Sequence, residues 1–459
     1  MRSLSVLGAA ALLAALPVAA NAQSSSNQEV VIKENTTVVV KEAPKPSPVT
    51  FTPYGFILLN AFFNDSLGSR NYPLPSNPPA GCTGGACLEG NVLFDVRQTR
   101  LGSRLSFNDT AGWTKATLSA LVEVDFGGGY AGAVPTGSVA FYSPVVRLRK
   151  AYADSAWDLG PDSKLTLRLG QDDHIVSLLR PVSVAYVANP LFQFAGTLNG
   201  RAPMAEVRFD MNPKNGITLG AQAAVLNPQD NTAIGDGTLS PSSAVDLGAG
   251  NRSRVPAFEG RVAVGFKSSG KKMAEISGWA GWQKNRFVSP ATDTNVDTNS
   301  YIYGGDMTLN IWMVNVLGSI YGATGWDQPG SLGASQGIAL TVVAPVAPAT
   351  KFTITNASSI PALGGWFQVL IGPDDLFKVY GGWGGTQSPA NAYVGTLFDA
   401  SASTRAATRL QNFTWATGLI GYAGKNWRFS AEYARSTSFF FNATNYSQGQ
   451  FSVNSQVVF

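Results

Sequence analysis

The chain has 459 residues, of which 44% are hydrophobic and only 14% charged, with 49 glycines and a formal net charge of +4. No run of about 20 apolar residues follows the N-terminal segment, which excludes helical membrane spans, and so small a charge excess gives nucleic acid no footing. Two cysteines and one histidine leave little material for a metal centre.

Met1 and Arg2 make a positive start, Leu4 to Ala20 an apolar core, and Ala20-Asn21-Ala22 an A-x-A cleavage site. Residues 1–22 are therefore predicted to be a secretory signal peptide; the core is too short for an anchor helix. No cysteine follows the site, which excludes a lipoprotein. Residues 23–50 carry Ser24-Ser25-Ser26, a Val/Lys/Glu-rich piece, then Pro44, Pro46 and Pro48, and read as a periplasmic linker. Cys82 and Cys87 sit in a Gly/Pro-rich segment, and in an exported chain they are predicted to form a loop disulfide.

Residues 51–459 repeat alternating segments of about 9–12 residues, the pattern of an all-β transmembrane antiparallel barrel of about sixteen strands. The predicted strands are 51–63, 93–108, 114–126, 144–158, 163–171, 203–211, 216–226, 257–267, 272–284, 300–310, 313–323, 361–371, 376–385, 412–422, 426–439 and 450–459. Alternate connections are tight and rich in turn residues, such as Gly160-Pro161-Asp162 and Asn212-Pro213-Lys214-Asn215-Gly216. The intervening ones (64–92, 127–143, 172–202, 227–256, 285–299, 324–360, 386–411, 440–449) are long. Short turns at one end and long loops at the other suit an outer-membrane barrel, and a sandwich has no reason to sort its loops this way.

Parity agrees. In the second strand Gln98, Arg100, Gly102 and Arg104 oppose Leu101, Ser103, Leu105 and Phe107. An arginine on the lipid face costs roughly 2–4 kcal/mol at the midplane, so the guanidiniums belong in a wet lumen. Val207, Phe209 and Met211 oppose Glu206, Arg208 and Asp210 in the same manner, and Phe429 and Tyr433 oppose Arg428 and Glu432. Trp113, Trp157, Trp312, Phe377 and Trp427 flank the short turns, where an interfacial girdle is expected.

The last residues, Phe451 to Phe459, alternate strictly and end on an aromatic residue. This resembles the terminal strand of bacterial porins. Tyr54-Gly55-Phe56, Arg97-Gln98-Thr99-Arg100-Leu101-Gly102-Ser103-Arg104, Leu148-Arg149-Lys150-Ala151-Tyr152 and Leu167-Arg168-Leu169-Gly170-Gln171 resemble strands of the Gram-negative porin superfamily, both general and DcaP-like. The resemblance implies a homotrimer in outer-membrane lipid and lipopolysaccharide, working without a cofactor, whose third loop folds inward.

Here that loop is 172–202, and its apolar residues (Ile175, Leu178, Leu179, Val182, Val184, Tyr186, Leu191, Phe192, Phe194) fit an inward fold. The wall facing it should present Arg100, Arg104, Arg147, Arg149 and Arg168 as a basic ladder across neighbouring strands ~4.8 Å apart. Glu123 and Asp125 on the intervening strand should partly neutralise it. Asp172 and Asp173 at the loop base, or Glu206 and Asp210, should give an opposing acidic edge, while Arg180 and Arg201 add positive charge. Such a lumen predicts weak anion selectivity for small carboxylates or inorganic anions. The alternatives are a substrate-specific dicarboxylate or phosphate channel, an outer-membrane phospholipase and an adhesin. Catalysis is not expected: His174 is a lone histidine in an apolar loop, and no nucleophile or metalloprotease motif occurs.

Overall fold

The computed structural model describes residues 49–65, 90–107, 116–127, 145–228, 248–289, 291–326, 337–343, 353–373 and 375–459. The predicted signal peptide, nearly all of the predicted linker, Trp113 and both cysteines, with the disulfide predicted between them, lie outside the described residues.

The strands are β1 (Val49–Asn64), β2 (Asn91–Asp95), β3 (Arg100–Phe107), β4 (Thr117–Asp125), β5 (Arg147–Asp158), β6 (Ser163–Asp173), β7 (Arg201–Met211), β8 (Gly216–Leu226), β9 (Ala257–Ser268) and β10 (Lys271–Val288). There follow β11 (Asn295–Ile311), β12 (Val314–Thr324), β13 (Ile338–Val343), β14 (Thr353–Ser359), β15 (Pro361–Ile371), β16 (Phe377–Gln387), β17 (Arg409–Ala423), β18 (Trp427–Phe440) and β19 (Asn445–Val458). Seventeen of them form one sheet, and β1 closes it by pairing with β19 on one side and with β2 and β3 on the other. The segments β2 and β3 are one barrel stave bent at 96–99, so the barrel has the expected sixteen staves. At the bend Thr99 Oγ1 takes the Leu58 N–H (3.1 Å), which keeps the ladder satisfied.

Closure leaves no sheet edge, which is what a hydrocarbon environment demands of β-structure. The C-terminus completes it: Gly55 and Phe459 exchange two backbone hydrogen bonds of 3.1 Å. Outward residues are apolar around the barrel, with Val262 62% and Ile276 65% exposed on the outer wall. Trp312, Phe377 and Trp427 are exposed beside the short turns, in the girdle position predicted for them.

Three features differ from the sequence reading. The first strand starts at Val49, so the linker boundary falls two residues earlier than residue 50. Several strands run further at the long-loop end, notably β10 to Val288 and β11 from Asn295, where polar residues outside the apolar band weaken the alternation. The connection 324–360 holds the antiparallel hairpin β13–β14, whose Ile338, Leu340 and Ile354 pack with Phe287 and Ala249. Ile338-Ala339-Leu340 is a continuous buried apolar run without alternation, so the period of two could not expose it.

The connection after β6 folds into the barrel. Its Val184, Tyr186, Leu191 and Phe192 bury against lumen-facing Leu58, Phe62, Trp366, Tyr380 and Ile420. Val176 and Leu198 bury against Trp279, Ile302, Tyr321 and Trp326. Apolar wall residues behind the loop make this half of the interior a packed core, while charged staves β3 to β7 line the remainder.

Candidate pore constriction

A register shift between β4 and β5 builds the charged wall. Glu123 pairs with Lys150 and Val124 with Leu148, which leaves Arg149 as an extra residue on β5. Leu148 stays on the exposed outer face, while Arg149 and Lys150 both reach lumen carboxylates. Downstream of this bulge the parity is reset, so Tyr152 and Asp154 also face inward; simple alternation from Arg147 and Arg149 misses Lys150 and Asp154.

Arg149 is fully buried, donating from Nε to Glu123 (2.9 Å) and from Nη1 to Asp125 (2.7 Å). Arg147 binds Asp125 through both Nε (2.9 Å) and Nη2 (2.7 Å). Arg100 Nε lies 3.5 Å from Glu123, and its Nη2 donates to the Val187 carbonyl of the loop (3.2 Å). One step along, Arg168 forks onto Asp154 (2.8 and 2.9 Å), also binds Asp172, and lies 3.8 Å over the Tyr152 ring. Lys150 bridges Asp172 (2.7 Å) and Asp173 (2.8 Å). Asp173 also takes Arg180 of the loop (2.8 Å), with Arg201 at 3.7 Å.

The predicted ladder residues are thus brought together, with one correction. Asp172 and Asp173 are the last residues of β6, paired with Ala202 and Arg201, and Glu123 and Asp125 lie on β4. These acids interleave with the basic wall; they do not form an edge facing it from the loop side. Glu206 is likewise absorbed, binding Arg208 (2.9 Å) and Gln222 (2.7 Å). The loop presents carbonyls and Arg180 to the wall, because its own polar groups are consumed in fastening it.

That fastening uses residues for which the sequence analysis predicted no anchoring role. Gln98 donates to the Ala185 carbonyl (2.8 Å) and accepts from Val187 (3.1 Å) and Ala188 (2.8 Å). Glu432 accepts the Val184 and Ala185 N–H groups (3.0 and 2.9 Å), and Gln368 exchanges two 2.7 Å hydrogen bonds with Val182. At the foot, Glu259 accepts from Ile175 (2.9 Å) and lies 2.7 Å from His174 Nδ1. Ser177 Oγ donates to the His174 carbonyl, not to its ring. Each anchor is a lumen-parity residue, but its partner is remote in sequence.

Arg104 is exposed and, among the described residues, has no carboxylate within ion-pair distance. It opens on a recess of about 790 Å³ at the short-turn end of the lumen. Arg104, Lys150, Arg168, Arg208, Arg261, Lys267 and Lys272 line it with Asp172, Asp210 and Glu275, and Asp154, Glu206 and Asp306 pair with Arg168, Arg208 and Arg261 from beside it.

Neither a protein family nor a curated protein matches the sequence. Among solved structures the chain is similar to the outer membrane channel DcaP of Acinetobacter baumannii, at 13% identity, over 90% of this chain and 97% of that one, with a TM-score of 0.59. It is also similar to the trimer form of OmpT, an outer membrane protein of Vibrio cholerae (10% identity, 90% and 99% covered, TM-score 0.49). A third is Salmonella typhi OmpF in complex with daunomycin (11% identity, 89% and 97% covered, TM-score 0.48). The likeness to DcaP is one of fold, and it coincides with a closed barrel banded by apolar residues. The chain is a sixteen-stave antiparallel β-barrel with the porin fold.

Proposed function

We propose that the protein is a non-enzymatic diffusion channel for small hydrophilic solutes, weakly selective for anions such as carboxylates and inorganic anions. The carrying observation is the charge count along the open staves. Arg100, Arg104, Arg147, Arg149, Lys150, Arg168, Arg180, Arg201 and Arg208 outnumber Glu123, Asp125, Asp154, Asp172, Asp173, Glu206 and Asp210, and Arg104 stands apart from every carboxylate among the described residues. An excess of fixed positive charge raises the local anion concentration, and pairing of most of the arginines keeps the effect modest. In this reading residues 1–22 are removed on export, residues 23–50 tether the barrel in the periplasm, Cys82 and Cys87 brace an external loop, and three copies assemble.

Reversal potentials across a planar bilayer under a KCl gradient test the reading. Chloride preference is expected, and Arg100→Ala with Arg104→Ala should shift it toward cations. Cation preference in the unmodified protein would overturn it. Electrophoresis of unheated and heated samples checks the trimer.

A further inference from the structure

Two recesses lie on the outside of the barrel, where Val207, Val225 and Val262 are 48%, 43% and 62% exposed. The upper one, about 490 Å³, opens at the long-loop end around Pro203, Ala205, Val225, Asn227, Arg254 and Pro256. The lower one, about 630 Å³, lies nearer the middle of the same wall, over Val207, Ala221, Ala223, Gly260, Gly278 and Ala280. Strand register makes them neighbours. Ala205 pairs with Val225 at the foot of the upper recess, and the next outward pair, Val207 with Ala223, opens the lower one. Gly260 and then Ala280 continue that row across β9 and β10. Larger outward residues stand above the row (Phe258) and below it (Val264, Ile276), so the wall is hollow between them.

The groove is polar at one end only. Among the described residues no acid lines either recess. Arg254, at the top, is exposed and has no carboxylate within ion-pair distance among the described residues. The turn that carries it is fixed: its N–H donates to the Asn251 carbonyl (3.2 Å), and Ala249 in the same turn is buried against Phe287 and Ile338. Beside the upper recess the rings of Phe258 and Trp282 lie 5.8 Å apart on the outer face, as aromatic residues do at headgroup level. A cation therefore stands at the membrane interface over a hollow lined by apolar residues.

We infer that this face binds a phosphate-bearing lipid of the outer leaflet, with its phosphate on Arg254 and an acyl chain lying in the groove. The inference rests on the apolar band lying in a membrane, with the long loops outside, and is independent of what the channel passes. A guanidinium forks onto phosphate oxygens, and a hollow in the wall forfeits dispersion contacts until a chain fills it. A second copy of this chain could fill the lower recess, but its outer wall is apolar at this height and brings Arg254 no acceptor. Inorganic phosphate would satisfy Arg254 and leave the hollow empty. An amphiphile answers both ends.

The test uses the full-length protein in detergent, titrated with lipid A, dephosphorylated lipid A or inorganic phosphate and read by native mass spectrometry. One lipid A per chain should be retained at micromolar concentration, and dephosphorylated lipid A should need about tenfold more. Inorganic phosphate should not be retained at the concentration that saturates lipid A. Arg254→Gln should weaken lipid A about tenfold and dephosphorylated lipid A less than about twofold. Gly260→Leu fills the hollow, and a Cβ there meets nothing nearer than the Gln222 carbonyl oxygen at 3.9 Å, so the barrel closes as before. It should weaken both lipids about tenfold, whereas Gly381→Leu, exposed on β16 away from the groove, should weaken neither. Equal affinity for the two lipids overturns the site, as does inorganic phosphate binding alone, or a folded Arg254→Gln or Gly260→Leu protein with full affinity. Fewer subunits per particle with Gly260→Leu also overturns it, because a second copy then covers this face. The comparison of the two lipids needs no variant, so a misfolded variant does not remove the test. Protein that stays soluble without detergent and retains no lipid defeats the membrane reading itself; lipid retained without regard to phosphate defeats only the site.

Discussion

Glu432 is 1% exposed, yet six donors converge on it: Ser183 Oγ (2.5 Å), Val184 N and Ala185 N from the loop, and Tyr380 Oη (2.5 Å), Ser430 Oγ (2.5 Å) and Asn454 Nδ2 (3.5 Å) from the wall. A carboxylate so placed is tolerated because charge-assisted bonds replace its lost hydration. Glu432→Ala strands those donors at about 1–3 kcal/mol for each one left buried and unpaired. Glu432→Gln does little better, since its amide brings donors to a place already filled with donors. Both variants are expected to melt earlier by circular dichroism and to show larger, noisier single-channel currents as the loop lifts. Unchanged currents in both would mean that the loop is held elsewhere. Alternation with Phe429 and Tyr433 puts Glu432 on the lumen face at the sequence level, but its backbone partner Val184 is 248 residues away, and no local pattern encodes that. Lys150 and Asp154 were illegible for a different reason, a one-residue bulge that resets parity.

The inward loop owes its close seating to glycine in the facing strands. A Cβ on Gly384 would stand 2.2 Å from the Ala195 carbonyl oxygen and 2.7 Å from Phe192 Cβ, and one on Gly196, at φ +105°, would stand 2.1 Å from the Gly365 carbonyl oxygen. Gly384→Ala is therefore expected to push the loop tip off the wall, at about 1–3 kcal/mol of overpacking. Gly381→Ala, with nothing within 4 Å, should change stability by less than about 0.5 kcal/mol. Single-channel conductance should rise for the first and not for the second. From sequence, the Gly-rich run around Trp383 reads as a strand and nothing more; only a neighbouring backbone gives its glycines a purpose. At the long-loop end, Asp399 accepts the Gly395 N–H (3.0 Å) and pairs with Arg405 (2.6 Å), which together hold its carboxyl below the usual carboxylate range. The order these bonds give is complete above an ordinary carboxylate value of about 4 and fades as pH falls through the lowered folded value. The protection of the Gly395 amide, the slowing of its exchange relative to an unstructured peptide at the same pH, should fall on acidification through that window, and Asp399→Asn should show the lower protection at neutral pH.

At the scale of the molecule, one physical contrast underlies the architecture: hydrocarbon outside, water and charge within. The sixteen staves were legible because this contrast writes a period of two into every strand, whereas the loop anchors and the hairpin answer to packing that leaves no period. The contrast is sharpest at the middle of β9, where Val262 faces outward, 62% exposed, and Ala263 lines the basic recess. Val262→Arg puts a guanidinium against lipid tails and should cost roughly 2–4 kcal/mol, read as a lower urea midpoint for folding into bilayers. Ala263→Arg, one residue on, puts the same group into the wet lumen. It should leave the urea midpoint nearly unchanged and strengthen chloride preference under a KCl gradient, because it adds a cation to the lumen wall. Equal destabilisation by the two substitutions would mean that the faces of β9 are not separated as described. A reversed order of cost would put the lumen and the membrane on the wrong sides of the wall.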